Sequence, residues 1–168
     1  MRSVTDDFWP EEVLTKLMRS SLQATDARNG ILLLRRAEHL HIEAIACAEF
    51  NQVTVNQAIP LSTLAAVTND CLLLPISLID KVSRTAVGVV LSDANGGHSY
   101  QRDPYIRVRK PRSILCVPLC KQDRLVGVLY LEDPVTQDAF DARDAEAVRV
   151  LGKRAVTCLE ASGFAECV

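Results

Sequence analysis

Residues 113–132 read SILCVPLCKQDRLVGVLYLE, and this stretch decides the fold. Two apolar runs of strand length, Ser113–Cys120 and Leu125–Glu132, are joined by the polar residues Lys121–Arg124. A connection this short returns the chain antiparallel to itself, because parallel strands need a crossover of roughly a dozen residues or more. The stretch therefore predicts a β-hairpin within an antiparallel sheet.

A second hairpin is predicted nearer the start of the chain. Ile31–Leu34 is a short apolar run, Arg35–Glu38 makes a turn, and His39–Ala48 alternates apolar and polar residues with the two-residue period of a half-buried strand. The expected buried face carries Leu40, Ile42, Ala44 and Ala46, and the expected wet face carries His39, His41 and Glu43.

Helices are predicted near both ends of the chain and in its middle. From Glu11 apolar residues recur every three or four positions, and Asn29-Gly30 is expected to stop this helix because both residues tolerate the left-handed conformation. Pro75 opens a second helix that runs to Ala86, since proline suits the first helical position. A third helix is expected over about Asp141–Ala161. The apolar stripes of the terminal helices are Leu14, Leu17 and Met18 on the first, and Val148, Leu151 and Ala155 on the last.

The remaining segments complete the expected layout. Val53–Ile59 and Gly88–Leu91 are predicted strands, and Ser92–Pro111 is predicted to be a long loop rich in turn-forming residues. The order of elements predicts an α+β fold, an antiparallel sheet of about six strands with helices packed on it. We expect one domain over residues 11–163, with tails at 1–10 and 164–168.

The composition of the 168 residues is that of a globular protein, with 48% hydrophobic and 24% charged residues. A formal net charge of -2 argues against a protein that binds nucleic acid through bulk charge. No apolar run reaches the roughly 18 residues of a membrane helix, and Met1–Trp9 has no apolar core of signal-peptide length. We therefore expect a cytoplasmic protein without nucleic-acid or membrane partners.

The cysteines are expected to be reduced and mostly buried. All six lie mostly in apolar contexts, with no C-x-x-C pair: Cys47, Cys71, Cys116, Cys120, Cys158 and Cys167. Cys116 and Cys120 stand four apart on one predicted strand, so their α-carbons lie roughly 13 Å apart, too far for a disulfide.

A basic segment interrupts the expected long loop. Residues 102–112 hold five cations against one acid, Asp103, with Tyr100 and Tyr105 beside and among them. The cations are Arg102, Arg107, Arg109, Lys110 and Arg112. Guanidinium groups suit planar anions, so the segment could form an anion-binding lip. The alternatives are a solvated helix and loop surface, or pairing with acids of an adjoining domain.

Motifs of catalysis and metal binding are absent from the sequence. It has no phosphate-binding loop, no dinucleotide-binding glycine turn, no H-E-x-x-H and no nucleophile elbow. His39 and His41 share a predicted strand face but have no evident third ligand. We therefore predict no catalytic residues and no metal site.

The chain resembles a GAF domain, of the kind found in bacterial multi-domain sensor kinases. The resemblance is carried by Asp103–Tyr105, Lys110–Leu119 and Gly127–Glu132, and continues in Phe140–Leu151, Gly30–Leu34 and Leu74–Ser77. It implies an antiparallel sheet of about six strands. Helices would pack on one side of that sheet, and loops would cover a ligand pocket on the other.

Departures from the ligand-defined members of that family narrow the expected ligand. Glu132-Asp133 stands where cyclic-nucleotide binders carry Asn-Lys, and Ala145 replaces a glutamate, although Phe140 and Asp144 keep the family's spacing. No cysteine occurs between Asp93 and Leu115 for a covalent bilin. The loop cysteines of the methionine-sulfoxide-reducing members are also missing. We expect neither a cyclic nucleotide nor a covalent bilin, and the cofactor stays unknown.

The resemblance predicts a sensory domain that binds a small molecule or a protein partner and modulates an attached or associated histidine kinase. We predict a cavity bounded by the loop Ser92–Pro111, the helix Pro75–Ala86 and the strand Ser113–Leu119. Its expected ligand-binding residues are Tyr100, Arg102, Asp103, Tyr105, Leu115, Val117 and Ile79. We also predict a homodimer through the terminal helices. The alternatives are a structural dimerisation module with no ligand, and a redox enzyme that uses Cys71 or Cys116.

Overall fold

The computed structural model describes residues 9–62, 74–94 and 96–160. Its helices are α1 (Glu11–Thr25), α2 (Ile76–Thr85), α3 (Pro104–Arg109) and α4 (Ala142–Glu160). Its strands are β1 (Asn29–Arg36), β2 (His39–Cys47), β3 (Gln52–Pro60), β4 (Val89–Leu91), β5 (Ser113–Lys121) and β6 (Arg124–Asp133).

The strands form one six-stranded sheet in the order β3-β2-β1-β6-β5-β4. Each neighbouring pair is antiparallel, which confirms the predicted fold class. The hairpin of β5 and β6 lies near the centre, because β6 pairs with β1 on its other side. At Gly127 the two central strands come so close that an added Cβ would lie 2.4 Å from the carbonyl oxygen of Leu33, so this position requires glycine for space.

Helices cover both faces of the sheet. α1 and α4 pack against each other and on one face, and α2 and α3 pack on the other. Alternation along β5 serves both layers, since Leu115 and Val117 join the cluster under α1 and α4, whereas Ile114 and Cys116 join the cluster under α2 and α3. The sheet therefore separates two apolar cores.

Two local predictions were wrong at the ends of elements. α1 ends at Thr25, because Asp26 already adopts a left-handed φ of 54°, and Asn29 pairs with β2 and β6 instead of capping the helix. The predicted loop contains α3, whose start is fixed by Asp103 as N-cap and Pro104 in the first turn.

Glu43 does not lie on a wet face. The pairing of β2 with both neighbouring strands, β1 and β3, shifts its register at this residue. Ile42 and Ala44 therefore point into different cores, and the Glu43 side chain is only 1% exposed. Its carboxylate pairs with the guanidinium of Arg36. A β-bulge, which a regular two-residue period cannot indicate, reverses the expected face.

Most apolar stripe residues of the terminal helices are buried within the domain. Leu14, Leu17, Met18, Val148 and Ala155 all lie in the core under α1 and α4, whereas Leu151 is only partly buried. The expectation that these five residues need a second subunit to cover them is therefore wrong, and the homodimer itself stays a prediction.

The cysteines divide into two groups. Cys47, Cys116 and Cys120 are free thiols, as predicted, and Cys116 is fully buried. Cys158 is disulfide-bonded, so the expectation of a reduced thiol is wrong there. Cys71 and Cys167 lie outside the described residues. Within the described part of the chain, no helix is long and apolar enough to cross a bilayer.

Candidate functional site

Asp103 joins the starts of α2 and α3. One carboxylate oxygen accepts a hydrogen bond from the Tyr105 amide at 2.9 Å, which caps α3. The other accepts from the amide of Ser77 at 3.0 Å and from the Ser77 hydroxyl. Because Asp103 is buried, these bonds fix the two helices to each other at their N-terminal ends.

Tyr105 ties α3 to the sheet through a buried carboxylate. Its hydroxyl donates to Oε2 of Glu132 at 2.6 Å, and the hydroxyl of Tyr130 donates to the same oxygen at 2.7 Å. Asn29 donates its amide to Oε1 at 3.3 Å. The network joins α3, β6 and β1 beneath the helical layer.

Burial raises the pKa of both tyrosines, and the neighbouring Glu132 carboxylate raises it further. An ionised phenolate would lose its hydration and face a carboxylate that accepts hydrogen bonds. Tyr105 and Tyr130 therefore stay protonated donors at neutral pH. The hydrogen bonds that join α3 to the sheet through Glu132, which we call the latch, are maintained.

The space where we predicted a cavity is packed in the described residues. A side chain that lined a cavity large enough for water would keep some accessible surface, yet Leu78, Ile79 and Val82 of α2 are 0% exposed. The same holds for Ile114 and Cys116 of β5. Beside these five residues the side chains of α2, α3 and the sheet pack against one another and leave no cavity.

The seven predicted site residues fall into three environments. Ile79, Tyr100 and Tyr105 lie together in the core under α2 and α3, and Asp103 lies at its edge. Leu115 and Val117 lie on the opposite face of the sheet, under α1 and α4, so they cannot share a site with the others. Ile114 and Cys116 instead occupy the positions under α2 and α3 that we assigned to Leu115 and Val117. Arg102 is exposed.

Ser113 connects this region to the start of α4. Its buried hydroxyl lies 3.1 Å from the carbonyl oxygen of Ser92 and 2.7 Å from that of Thr136, and it accepts from the Ala139 amide at 3.1 Å. The amide of Asp138 also donates to Ser92 at 2.7 Å. The connection between β4 and β5, which contains α3, is thus hydrogen-bonded through Ser92 and Ser113 to the segment that leads into α4.

Sequence reasoning missed four residues of this arrangement. They are Ser77, Ser113, Tyr130 and Glu132. A signal existed for two of them, because Tyr130 and Glu132 stand two apart in an apolar strand and so share an inward face with Val128. Nothing in the sequence indicated that Tyr105 would reach the same carboxylate.

Two chemical roles can be assessed from the described residues. Burial raises the pKa of the Cys116 thiol, which suppresses the thiolate that a redox reaction needs. In residues 9–62, 74–94 and 96–160, histidine, cysteine and acidic side chains form no group of three or more that could hold a metal ion.

The chain matches known proteins over most of its length. The family model for the GAF domain matches residues 10–159. A hybrid signal transduction histidine kinase G from Dictyostelium discoideum is 30% identical over 79 residues, which are 47% of this chain. The match spans only 2% of that relative's length.

Solved structures share the fold at low identity. The GAF domain/HD domain protein from Geobacter sulfurreducens has a TM-score of 0.61 at 15% identity, over 94% of each chain. A type II free methionine-R-sulfoxide reductase from Thermoplasma acidophilum has a TM-score of 0.60 at 11% identity, over 90% of this chain and 94% of that one. At these identities the likeness concerns the fold alone.

Proposed function

This chain belongs to the GAF domain family, and on that premise we propose that it is a cytoplasmic sensory module. It would bind a small molecule or a protein partner and modulate a histidine kinase that is attached to it or associated with it. GAF domains are in general sensory rather than catalytic, and the histidine kinase relative supports the choice of output.

The observation that carries the proposal is the latching of α3. Tyr105 and Asp103 hold this six-residue helix through buried polar bonds, to Glu132 and to Ser77. Such bonds are directional, so a small displacement of α3 breaks them outright, whereas apolar contacts would slide. α3 is therefore suited to two discrete positions, one with these hydrogen bonds formed and one with them broken.

The proposed mechanism is a population shift. The layer beneath α3 is filled by side chains, so an effector must bind better when α3 is displaced, and only that difference in affinity can bias the domain. Displacement would pull on the segment between β4 and β5, which Ser113 bonds to the entrance of α4. α4 would carry the signal onward.

The test is native mass spectrometry of freshly purified chain, followed by hydrogen exchange with the small-molecule fraction of a cell extract. We expect a non-covalent adduct, or slowed or accelerated exchange confined to α3 and the entrance of α4. Asp103→Asn, which keeps the size of the side chain, should change both signals. A single bare mass, with identical exchange in buffer and in extract, would contradict small-molecule sensing.

We propose a homodimer through α1 and α4 on a different ground from the apolar stripes. An open groove of about 1390 Å³ runs between the two helices, lined by residues that include Lys16, Arg19, Arg149 and Val150. Val150 is 39% exposed beside it. Sedimentation should show a dimer that Val150→Glu dissociates without unfolding. A monomer at concentrations of about 100 µM would contradict it, since stable dimers form well below that range.

A thiol-based redox enzyme is the less favoured alternative. One structural neighbour is a sulfoxide reductase. However, Cys116 has neither exposure nor a cation to lower its pKa, so its chemistry would require a different conformation.

A further inference from the structure

The exposed side of α3 carries a cluster of arginines around an apolar residue. Arg107 and Val108 lie on the outward side of the helix, with Arg102 before its start and Arg109 at its end. All four are exposed, and Val108 is 51% exposed. We call these four residues the α3 surface.

The three arginines of the α3 surface lie on or just before one short helix. Arg102, Arg107 and Arg109 form no ion pair with any described residue, although Arg109 acts on Tyr105 through its charge. Five of the ten other described arginines do meet acids: Arg28 with Asp133, Arg35 with Glu38, Arg36 with Glu43, Arg84 with Asp80, and Arg149 with Glu146. Asp103 is the acid nearest to the cluster in sequence, but its carboxylate oxygens already accept hydrogen bonds from two backbone amides and from the Ser77 hydroxyl.

The helix itself does not account for the cluster. Cations stabilise the C-terminal turn of a helix, which would suit Arg107 and Arg109. Arg102 precedes the N-terminal end, where a cation is unfavourable. The helix therefore gives no reason for a cation at Arg102.

The base of the surface is rigid. Tyr105 and Ile106 are buried, and the Asp103 and Tyr105 bonds fix both the start and the body of α3. Side chains on a fixed backbone lose less freedom on binding than those on a mobile loop, so a partner gains more from each contact.

We propose that the α3 surface docks an acidic segment of a partner polypeptide, with carboxylates on its guanidinium groups and one apolar side chain on Val108. The cations are spread over a helix about 9 Å long and its leading turn, which favours an extended ligand that carries several acidic groups. Nucleic acid fits less well, because the whole chain is net acidic at -2. One exposed valine is too little apolar surface for a membrane.

The test uses fluorescence anisotropy with a labelled twelve-residue probe, rich in glutamate and with one central leucine. We expect binding that weakens as salt rises, and at least a tenfold loss of affinity in Arg102→Glu/Arg107→Glu. Neither side chain takes part in the buried network, so this variant should keep the wild-type urea midpoint. Val108→Ser should weaken the probe severalfold, and should leave unchanged the affinity for a probe with serine in place of leucine.

The matched control is Arg124→Glu/Arg143→Glu, which makes the same change of charge at two exposed arginines outside the α3 surface, one at the β5–β6 turn and one on α4, which packs on the opposite face of the sheet. It should keep the affinity within about twofold, because screening at physiological salt limits a charge's reach to about 8 Å. Equal losses in both double variants would overturn the proposal, as would no binding by the wild type. Single-stranded DNA of equal charge that bound more tightly than the probe would also overturn it.

Discussion

Replacing Tyr105 by Phe tests the latch between α3 and the sheet with the least disturbance. The ring keeps its place in the core, and only the hydroxyl that donates to Glu132 at 2.6 Å is lost. Glu132 keeps its hydrogen bonds from Tyr130 and Asn29, so the carboxylate loses one donor and retains two.

The expected loss follows from the charge and burial of the acceptor. A hydrogen bond to a charged group contributes about 1.5–3 kcal/mol to the free energy of unfolding, about twice a neutral bond. For a domain of this size that corresponds to a fall in Tm of roughly 3–12 °C. The lower end applies if Tyr130 moves closer to Glu132.

Equilibrium urea unfolding at pH 7 measures this loss, with fluorescence of the single, buried Trp9 as the probe. Tyr100→Phe is the matched control, because Tyr100 is also buried and its hydroxyl has no hydrogen-bond partner among the described residues. That variant should change the free energy of unfolding by less than about 0.5 kcal/mol. Equal losses in the two variants would refute the latch.

Three further outcomes are expected. Asp103→Ala removes an N-cap and leaves buried donors without an acceptor, so urea unfolding should show a loss of about 2–3 kcal/mol, with α3 amides exchanging faster; unchanged exchange would contradict the bridge to α2. The pKa values of Cys116 and Tyr130 are raised in the folded state, so stability is complete below their unfolded values of about 8.5 and 10 and is lost as pH rises above them. The urea midpoint should fall in two stages above about pH 8.5, and a flat profile to about pH 11 would be inconsistent with burial of these groups. Gly127→Ala forces apart the two central strands and should cost about 1–3 kcal/mol in the same assay; a neutral result would contradict their close approach.

The sequence predicted the sheet because its strands obey a simple period. The hairpin of β5 and β6 and the hairpin of β1 and β2 follow from alternating or continuous apolar runs with short polar turns. The period shows that Leu115 and Cys116 must point to opposite faces, but it does not show which face meets which helices. Leu115 and Val117 were assigned to the wrong layer for that reason.

The rest depended on tertiary contacts that leave no local pattern. Glu43 is buried because a bulge turns it inward beside Arg36, and a bulge depends on both neighbouring strands. The stripes of α1 and α4 are visible in the sequence, but what covers them is decided by how far the sheet extends. The bond between Tyr105 and Glu132 spans 27 positions, which no short-range rule can anticipate.

The proposed mechanism requires α3 and the entrance of α4 to move together through Ser113. Hydrogen exchange of wild type and Tyr105→Phe, under conditions where both stay folded, measures this coupling. We expect faster exchange in residues 104–109, in 134–140 and in the first turn of α4, with α1 unchanged, because only local opening is affected. Faster exchange confined to residues 100–112, with the entrance of α4 as slow as in wild type, would contradict the coupling.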